Sequence, residues 1–236
     1  MDNIWGSKIP ESLRNIVDPG LNIMIDDYYS NKIERIKKIN PKSVISRSNP
    51  IYNILTEREK RLRAERLLSE YMITSDKTAL GNYLESLALK ICNYCFNGIK
   101  SSADKIDVEY QKPVKEDIID IILSIKSNMH SLNSSSKRTQ IKAFREAVKR
   151  KKSNNTNNTK IECIIGCCFG ETPKNQTNKE YKIVCGKDFW YLISDNQYIH
   201  DYIIWKTNQL VEERESTEEY NIIFAKKVQE IEDILL

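Results

Sequence analysis

The chain has 236 residues, 30% charged and 40% hydrophobic, a balance that fits a folded globular protein and excludes a disordered one. That length holds one sizeable core or two small ones, and with nothing demanding two a single domain over 1–236 is the expectation. A net charge of +4 permits a polyanionic partner without demanding one, and the placement of the charge matters more than its sum.

Residues 1–20 carry Pro10, Pro19 and Gly20 and read as an arm that docks on the rest of the molecule. From Leu21 the positions Ile23, Ile25, Tyr28, Tyr29, Ile33, Ile36 and Ile39 recur among Lys and Glu at near-helical spacing, which predicts an amphipathic helix ending before Pro41. Residues 42–50 are polar, flanked by Pro41 and Pro50, and read as an irregular connector. Residues 56–72 open on Thr56 as an N-cap and are dense in helix formers, with Leu62, Leu67, Leu68 and Tyr71 as the apolar face. Glutamates interrupt the Arg58, Lys60, Arg61, Arg63 and Arg66 cluster, so it reads as a solvated face. A break at 75–78 precedes a second helix over 79–96, apolar at Leu80, Leu84, Leu87, Ala88 and Ile91, with Glu85 flanking that side.

After a turn at Asn97-Gly98, two β-like runs over 105–110 and 120–127 lie close enough for a hairpin. Residues 139–149 predict a helix, and 150–159 a basic, Asn-rich surface loop. The nearly continuous apolar run 160–170 predicts a strand covered on both faces, placed at the centre of the sheet. A short strand over 181–185, an aromatic segment leading into a helix to about 209 and an amphipathic helix over 218–236 complete the chain. The order predicts an α/β protein: a mixed β-sheet flanked by helices, with extra helices at both ends.

Neither GxGxxG nor GxxxxGK[ST] occurs, which argues against a nucleotide cofactor. No charged segment followed by an apolar run opens the chain and no stretch approaches membrane-spanning length, so a cytoplasmic protein with reduced thiols is expected. Among the six cysteines, Cys92-Asn-Tyr-Cys95 has zinc-ligand or redox spacing without a second such pair and reads as two buried helix cysteines, with zinc the lesser alternative. Cys167 and Cys168, in strand-like surroundings, read as inert buried thiols. His130 and His200 have no partner pattern, and Phe189-Trp190 reads as core.

Phosphodiester hydrolysis needs a cation that polarises the phosphate and acidifies a water, and a group that positions that water. Asp107 and Lys126, on neighbouring β runs, supply a carboxylate and an ammonium, a pair too common to assign by itself. Glu109 shares a strand face with Asp107 by period-two alternation and is a further acidic candidate, equally well explained as a lysine's cross-strand partner.

The residues around this pair carry more information. Ile106-Asp107-Val-Glu109-Tyr followed by Leu-Ser124-Ile-Lys126-Ser resembles the Asp…(Glu/Ser)-x-Lys core of the PD-(D/E)xK nucleases. An ordered set of blocks resembles, more narrowly, a family of type II restriction endonucleases that includes cutters of GGNCC-containing sites. The blocks are Ser46-Arg-Ser-Asn-Pro50, Gly81-Asn-Tyr-Leu-Glu85, Gly98-Ile-Lys-Ser-Ser102, the two just given, Asn133-Ser-Ser135, Gly166-Cys-Cys-Phe-Gly170 and Cys185-Gly-Lys-Asp-Phe-Trp190.

The resemblance implies that Asp107 binds metal and Lys126 orients a water. Ser124 stands where the usual acidic residue would be, and a hydroxyl is a poor ligand for a hard cation. The resemblance makes Glu85 the preferred second ligand. Gln140, on the following helix, is suited to orienting a water or supporting a ligand rather than binding the metal. The proline that names the superfamily is replaced by Ile106, and the stretch 128–132 departs from the family's Gly-Pro-Asn-Trp-Gly-like run. Ser127, Asn128, Asn133, Ser134, Ser135, Lys137, Arg138 and Lys100 are the candidate DNA contacts.

The resemblance thus implies a Mg²⁺-dependent homodimer that cuts double-stranded DNA at a short palindromic site and leaves 5′-phosphates. Residues 1–55 would serve dimerisation or DNA contact, 56–205 the catalytic core, and 206–236 a helical segment. A DNA binder of nuclease fold without activity and a non-specific repair nuclease are the alternatives.

Overall fold

The computed structural model describes residues 4–129, 134–154, 159–176, 180–213 and 218–235. The elements run α1 (Glu11–Lys38), α2 (Pro41–Ser46), α3 (Pro50–Thr56), α4 (Lys60–Phe96), β1 (Ile99–Lys100), β2 (Val108–Val114), β3 (Asp117–Lys126), α5 (Ser134–Asn154), β4 (Lys160–Cys167), β5 (Lys182–Cys185), α6 (Gly186–Ser194), α7 (Ile199–Glu212) and α8 (Glu218–Ile234). They fall into two compact units, one of Met1–Leu21 with Gly81–Asn208 and one of Asn22–Leu80 with Gln209–Leu236. Among the described residues no helix is long and apolar enough to cross a membrane.

The first unit holds the sheet, with strand order β1-β2-β3-β4-β5. The hairpin expected from 105–127 is present: β2 and β3 pair antiparallel, Val108 opposite Leu123 and Val114 opposite Asp117. β3–β4 and β4–β5 are parallel, so the sheet is mixed. β3, not β4, is the central strand, with β4 beside it; both read as near-continuous apolar runs because successive side chains are buried on both faces of the sheet.

One face of the sheet carries α5, whose Phe144 and Ala147 meet Ile122, Ile165 and Tyr181. On the other face Phe96 stacks on Tyr110, and the buried Trp190 indole donates to the Cys168 carbonyl at 2.9 Å. Phe189 and Trp190 are fully buried, in agreement with their reading as core. The Phe189 ring lies against Gly166, where an added Cβ would sit 2.4 Å from ring carbons. Gly166→Ala is therefore expected to destabilise this unit by about 1–3 kcal/mol, measured as a melting temperature lower by roughly 2–4 °C per kcal/mol.

The second unit packs Ile36, Val44, Leu68 and Met72 with Val228 and Ile231 of α8. Within it the Tyr28 hydroxyl donates to Asp76 at 2.9 Å, and Arg35 lies 2.7 Å from the same carboxylate.

Several local expectations are corrected. Residues 11–20 are helical rather than an arm: Leu13, Val17 and Leu21 recur at i, i+4 and are buried, which outweighs the amide missing at Pro19. Residues 42–50 are not an irregular connector. Asn40 and Asn49 cap α2 and α3, their side chains accepting Lys42 and Ile51 amides at 3.0 Å, and Pro41 and Pro50 occupy the first helical turn. The Asn-Pro pairs are start signals in plain view. Thr56 ends α3 instead of capping the next helix, its hydroxyl bonding to Tyr52 O.

No break occurs at 75–78, because Thr74 and Thr78 turn their hydroxyls back onto Glu70 O and Thr74 O and α4 continues through them. Residues 150–154 extend α5 rather than forming a loop, held by ion pairs from Arg150 and Lys151 to β2 and β3; 155–158 lie outside the described residues.

Candidate active site

β2 begins at Val108, and Asp107 sits one residue before that strand. Its amide donates to Leu123 O at 2.9 Å, and its Oδ2 accepts the Ile125 amide at 2.5 Å, so the side chain continues the strand pairing that the backbone has left. This fixes the carboxylate beside the last residues of β3. Lys126 ends that strand, with Nζ 3.9 Å from Asp107 Oδ2 and donating to Ile125 O at 2.8 Å. Both side chains are partly exposed.

Glu85 reaches the same place from α4, whose neighbouring Leu84, Leu87, Ala88 and Ile91 are buried. Burial first, then the Asp107 charge and a hydrogen bond to Asp107, push the Glu85 carboxyl above the usual glutamate range, while Lys126 and Lys100 pull it down. Lys100, exposed at the end of β1, thus belongs to the same electrostatic neighbourhood.

A carboxyl whose folded-state pKa is raised binds its proton more tightly folded than unfolded, so its contribution to stability falls as pH rises through and above the ordinary glutamate value. Glu85's own contribution is accordingly expected to fall over that range, so that wild type loses stability relative to Glu85→Gln as pH rises. Equal pH–stability profiles for the two proteins, measured by denaturant titration in EDTA, would contradict this.

The donors gathered here are all oxygen: the Glu85 and Asp107 carboxylates, with Ile125 O on the same ammonium. Such a set suits a hard divalent cation, and two carboxylates that feel each other's charge gain from one between them. Among the described residues no group of three or more His, Cys, Asp or Glu forms a closed metal cage.

Ser124 and Gln140 lie apart from that set. Ser124 is fully buried and donates to Gln140 Oε1 at 3.2 Å, and Gln140 Nε2 donates to Lys105 O at 3.0 Å. Glu109 belongs to a second cluster: it pairs with Arg150 and accepts the Ser101 hydroxyl at 2.5 Å, and Lys151 lies 3.8 Å from it and 3.0 Å from the buried Asp120. Sequence pattern does not single out Arg150 and Lys151 as partners of these acids. Their one signal is the continuation of helical spacing past Val148, obscured by the asparagines beyond it.

Of the candidate DNA contacts, Ser127 comes directly after Lys126 and its carbonyl accepts the Phe169 amide at 3.2 Å. Asn128 is exposed beyond β3, and Ser135, Lys137 and Arg138 are exposed or partly exposed on the first turns of α5. Asn133 and His130 lie outside the described residues, as does the side chain of Ser134. His200 Nδ1 is 3.0 Å from Asp201 and its ring meets the edge of Phe169. Burial pushes the Cys92 and Cys168 thiols up to about 12 and Cys163 to about 11, so these are unreactive packing groups.

A protein-family model described as type II restriction endonuclease EcoO109I matches residues 16–215. No curated protein matches the chain. The match takes in the sheet, its flanking helices and all of Glu85, Asp107 and Lys126. The mixed sheet with helices on both faces is the α/β architecture that the resemblance implied. The chain belongs to the EcoO109I family of type II restriction endonucleases, PD-(D/E)xK-type enzymes of GGNCC-like sites: DNA-binding nucleases that hydrolyse DNA site-specifically and in general use a divalent metal.

Proposed function

We propose that this chain, as a homodimer in the cytoplasm, cuts both strands of a short palindromic duplex site with Mg²⁺, and that residues 1–236 act as one nuclease. The observation that carries the reading is the convergence of Glu85 on Asp107 beside Lys126. Mg²⁺ is commonly held by one or two carboxylates with waters and substrate phosphate completing the shell, and this donor set fits that habit better than a closed cage would.

Glu85 and Asp107 would hold the cation, which would supply charge to polarise the scissile phosphate and acidify a water. Lys126 holds the attacking water in line, its ammonium released from Ile125 O once an anionic phosphate is present. Water adds to phosphorus as the bond to the 3′ oxygen breaks, so the products carry a 5′-phosphate and a 3′-hydroxyl. Lys100 and the exposed Asn128, Lys137 and Arg138 meet the DNA backbone, with Ser127, Asn133, Ser134 and Ser135 contributing polar contacts. A palindromic site is matched most simply by a two-fold protein dimer.

Plasmid digestion with Mg²⁺ and with EDTA tests the reading. Discrete fragments that require Mg²⁺ are expected. A smear would mark a non-specific nuclease, and no cleavage under any divalent metal a DNA binder. Sequencing the fragment ends reads out the site, the cut position and the phosphate end together.

A further inference from the structure

The residues assigned to the reaction arrive on different pieces of backbone, and one buried side chain joins two of those pieces. Gln140, on α5, is 4% exposed. Its Oε1 accepts the Ser124 hydroxyl at 3.2 Å, and its Nε2 donates to the Lys105 carbonyl at 3.0 Å. Ser124 is two residues before Lys126 and on the same face of β3. Lys105 is two residues before Asp107, at φ 62, in a tight turn closed by the Ile106 amide on Ala103 O at 3.2 Å.

A lysine in the left-handed region costs roughly 1–2 kcal/mol, so a turn built on one persists only where its surroundings hold it. Gln140 does so from outside the hairpin. Each polar end of its buried amide has a protein partner, which suits it to act as a strut.

We infer that Gln140 is a positioning residue for DNA cleavage: it sets the Lys105 turn, and with it Asp107, against the stretch of β3 that ends in Lys126. The inference rests on the proposed reading of Asp107 and Lys126 as the reacting pair. Asp107's own bonds to Leu123 O and the Ile125 amide fix strand pairing, whereas Gln140 braces the turn that leads into it. Loss of the strut would loosen the turn from which Asp107 enters its strand pairing, and a displacement near 1 Å at a reacting centre costs on the order of 10²-fold in rate.

Gln140→Met keeps the length and removes both hydrogen bonds; Gln140→Asn keeps the amide but is one methylene too short to span Ser124 and Lys105. Each full-length variant is compared with wild type at a temperature well below its own melting point. Single-turnover plasmid cleavage at saturating DNA and Mg²⁺ should fall by about 10- to 100-fold. The Mg²⁺ concentration giving half-maximal rate should rise several-fold, and DNA affinity measured in EDTA should stay within about twofold. A folded variant that cleaves at the wild-type rate with the wild-type Mg²⁺ midpoint overturns the inference. So does failure of both variants to fold, which would make Gln140 a core residue first. Lys126→Ala is run alongside. If that variant cleaves normally the underlying reading has failed, whereas an inert Lys126→Ala beside fully active Gln140 variants removes only the strut.

Discussion

Lys126→Ala is expected to reduce DNA cleavage by about 10²–10⁴-fold, the range for loss of a positioned proton-transfer or water-orienting group, while leaving DNA binding in EDTA within a few-fold of wild type. The expectation comes from where the ammonium sits. Its partners are one carboxylate oxygen at 3.9 Å and one backbone carbonyl at 2.8 Å, so it is anchored loosely and at the open end of β3. Removing it takes a nearby positive charge from the partly exposed Asp107 and from Glu85, so the variant should fold with at most a small loss of stability. Lys126→Arg should not restore the rate, because a planar guanidinium cannot present a compact ammonium in the same position. Full activity of Lys126→Ala in a single-turnover digest would sink the site assignment altogether.

The second large effect concerns which acidic residue completes the metal site, since Ser124 cannot. Asp107→Asn keeps an acceptor for the Ile125 amide and removes the charge, so it separates the structural task of this side chain from its chemical one. It should cost at least about 10²-fold in rate, the scale on which loss of a single electrostatic stabiliser is felt, with little change in melting temperature. Glu85→Gln should behave alike and raise the Mg²⁺ requirement. Glu109→Gln should do the opposite. Glu109 is held by Arg150, Lys151 and Ser101, in a cluster of its own, so its neutralisation should lower stability by about 1–3 kcal/mol and leave the Mg²⁺ midpoint unchanged. If Glu109→Gln abolished metal-dependent cleavage while Glu85→Gln did not, the roles given to these two glutamates would have to be exchanged.

The contrast between the two glutamates shows how far local pattern carries. Two short β-like runs within 105–127 are sufficient for the hairpin, and the apolar run 160–170 for a strand covered on both faces, though not for its place beside the centre of the sheet. The Asn-Pro starts of α2 and α3 are equally local, but a reading of proline as a breaker hides them. The false break at 75–78 arises from counting polar residues without asking whether their hydroxyls have partners inside a helix.

By itself the sequence determined the class of this protein. The ordered blocks around Asp107 and Lys126 resemble one nuclease family, and the order of elements implies a mixed sheet. Only the tertiary structure decided which acids meet. Glu85 and Glu109 are both plausible companions of Asp107 in sequence, yet the nearer one pairs with Arg150 and Lys151 while the distant one comes in on α4. The reason is physical: a strand's period tells which face a side chain leaves from, but the charge it meets there depends on which helix packs over that face, a contact between segments far apart in the chain. Gln140 and Lys105 show the same thing. Their bond across the end of the hairpin exists only once α5 is laid on the sheet.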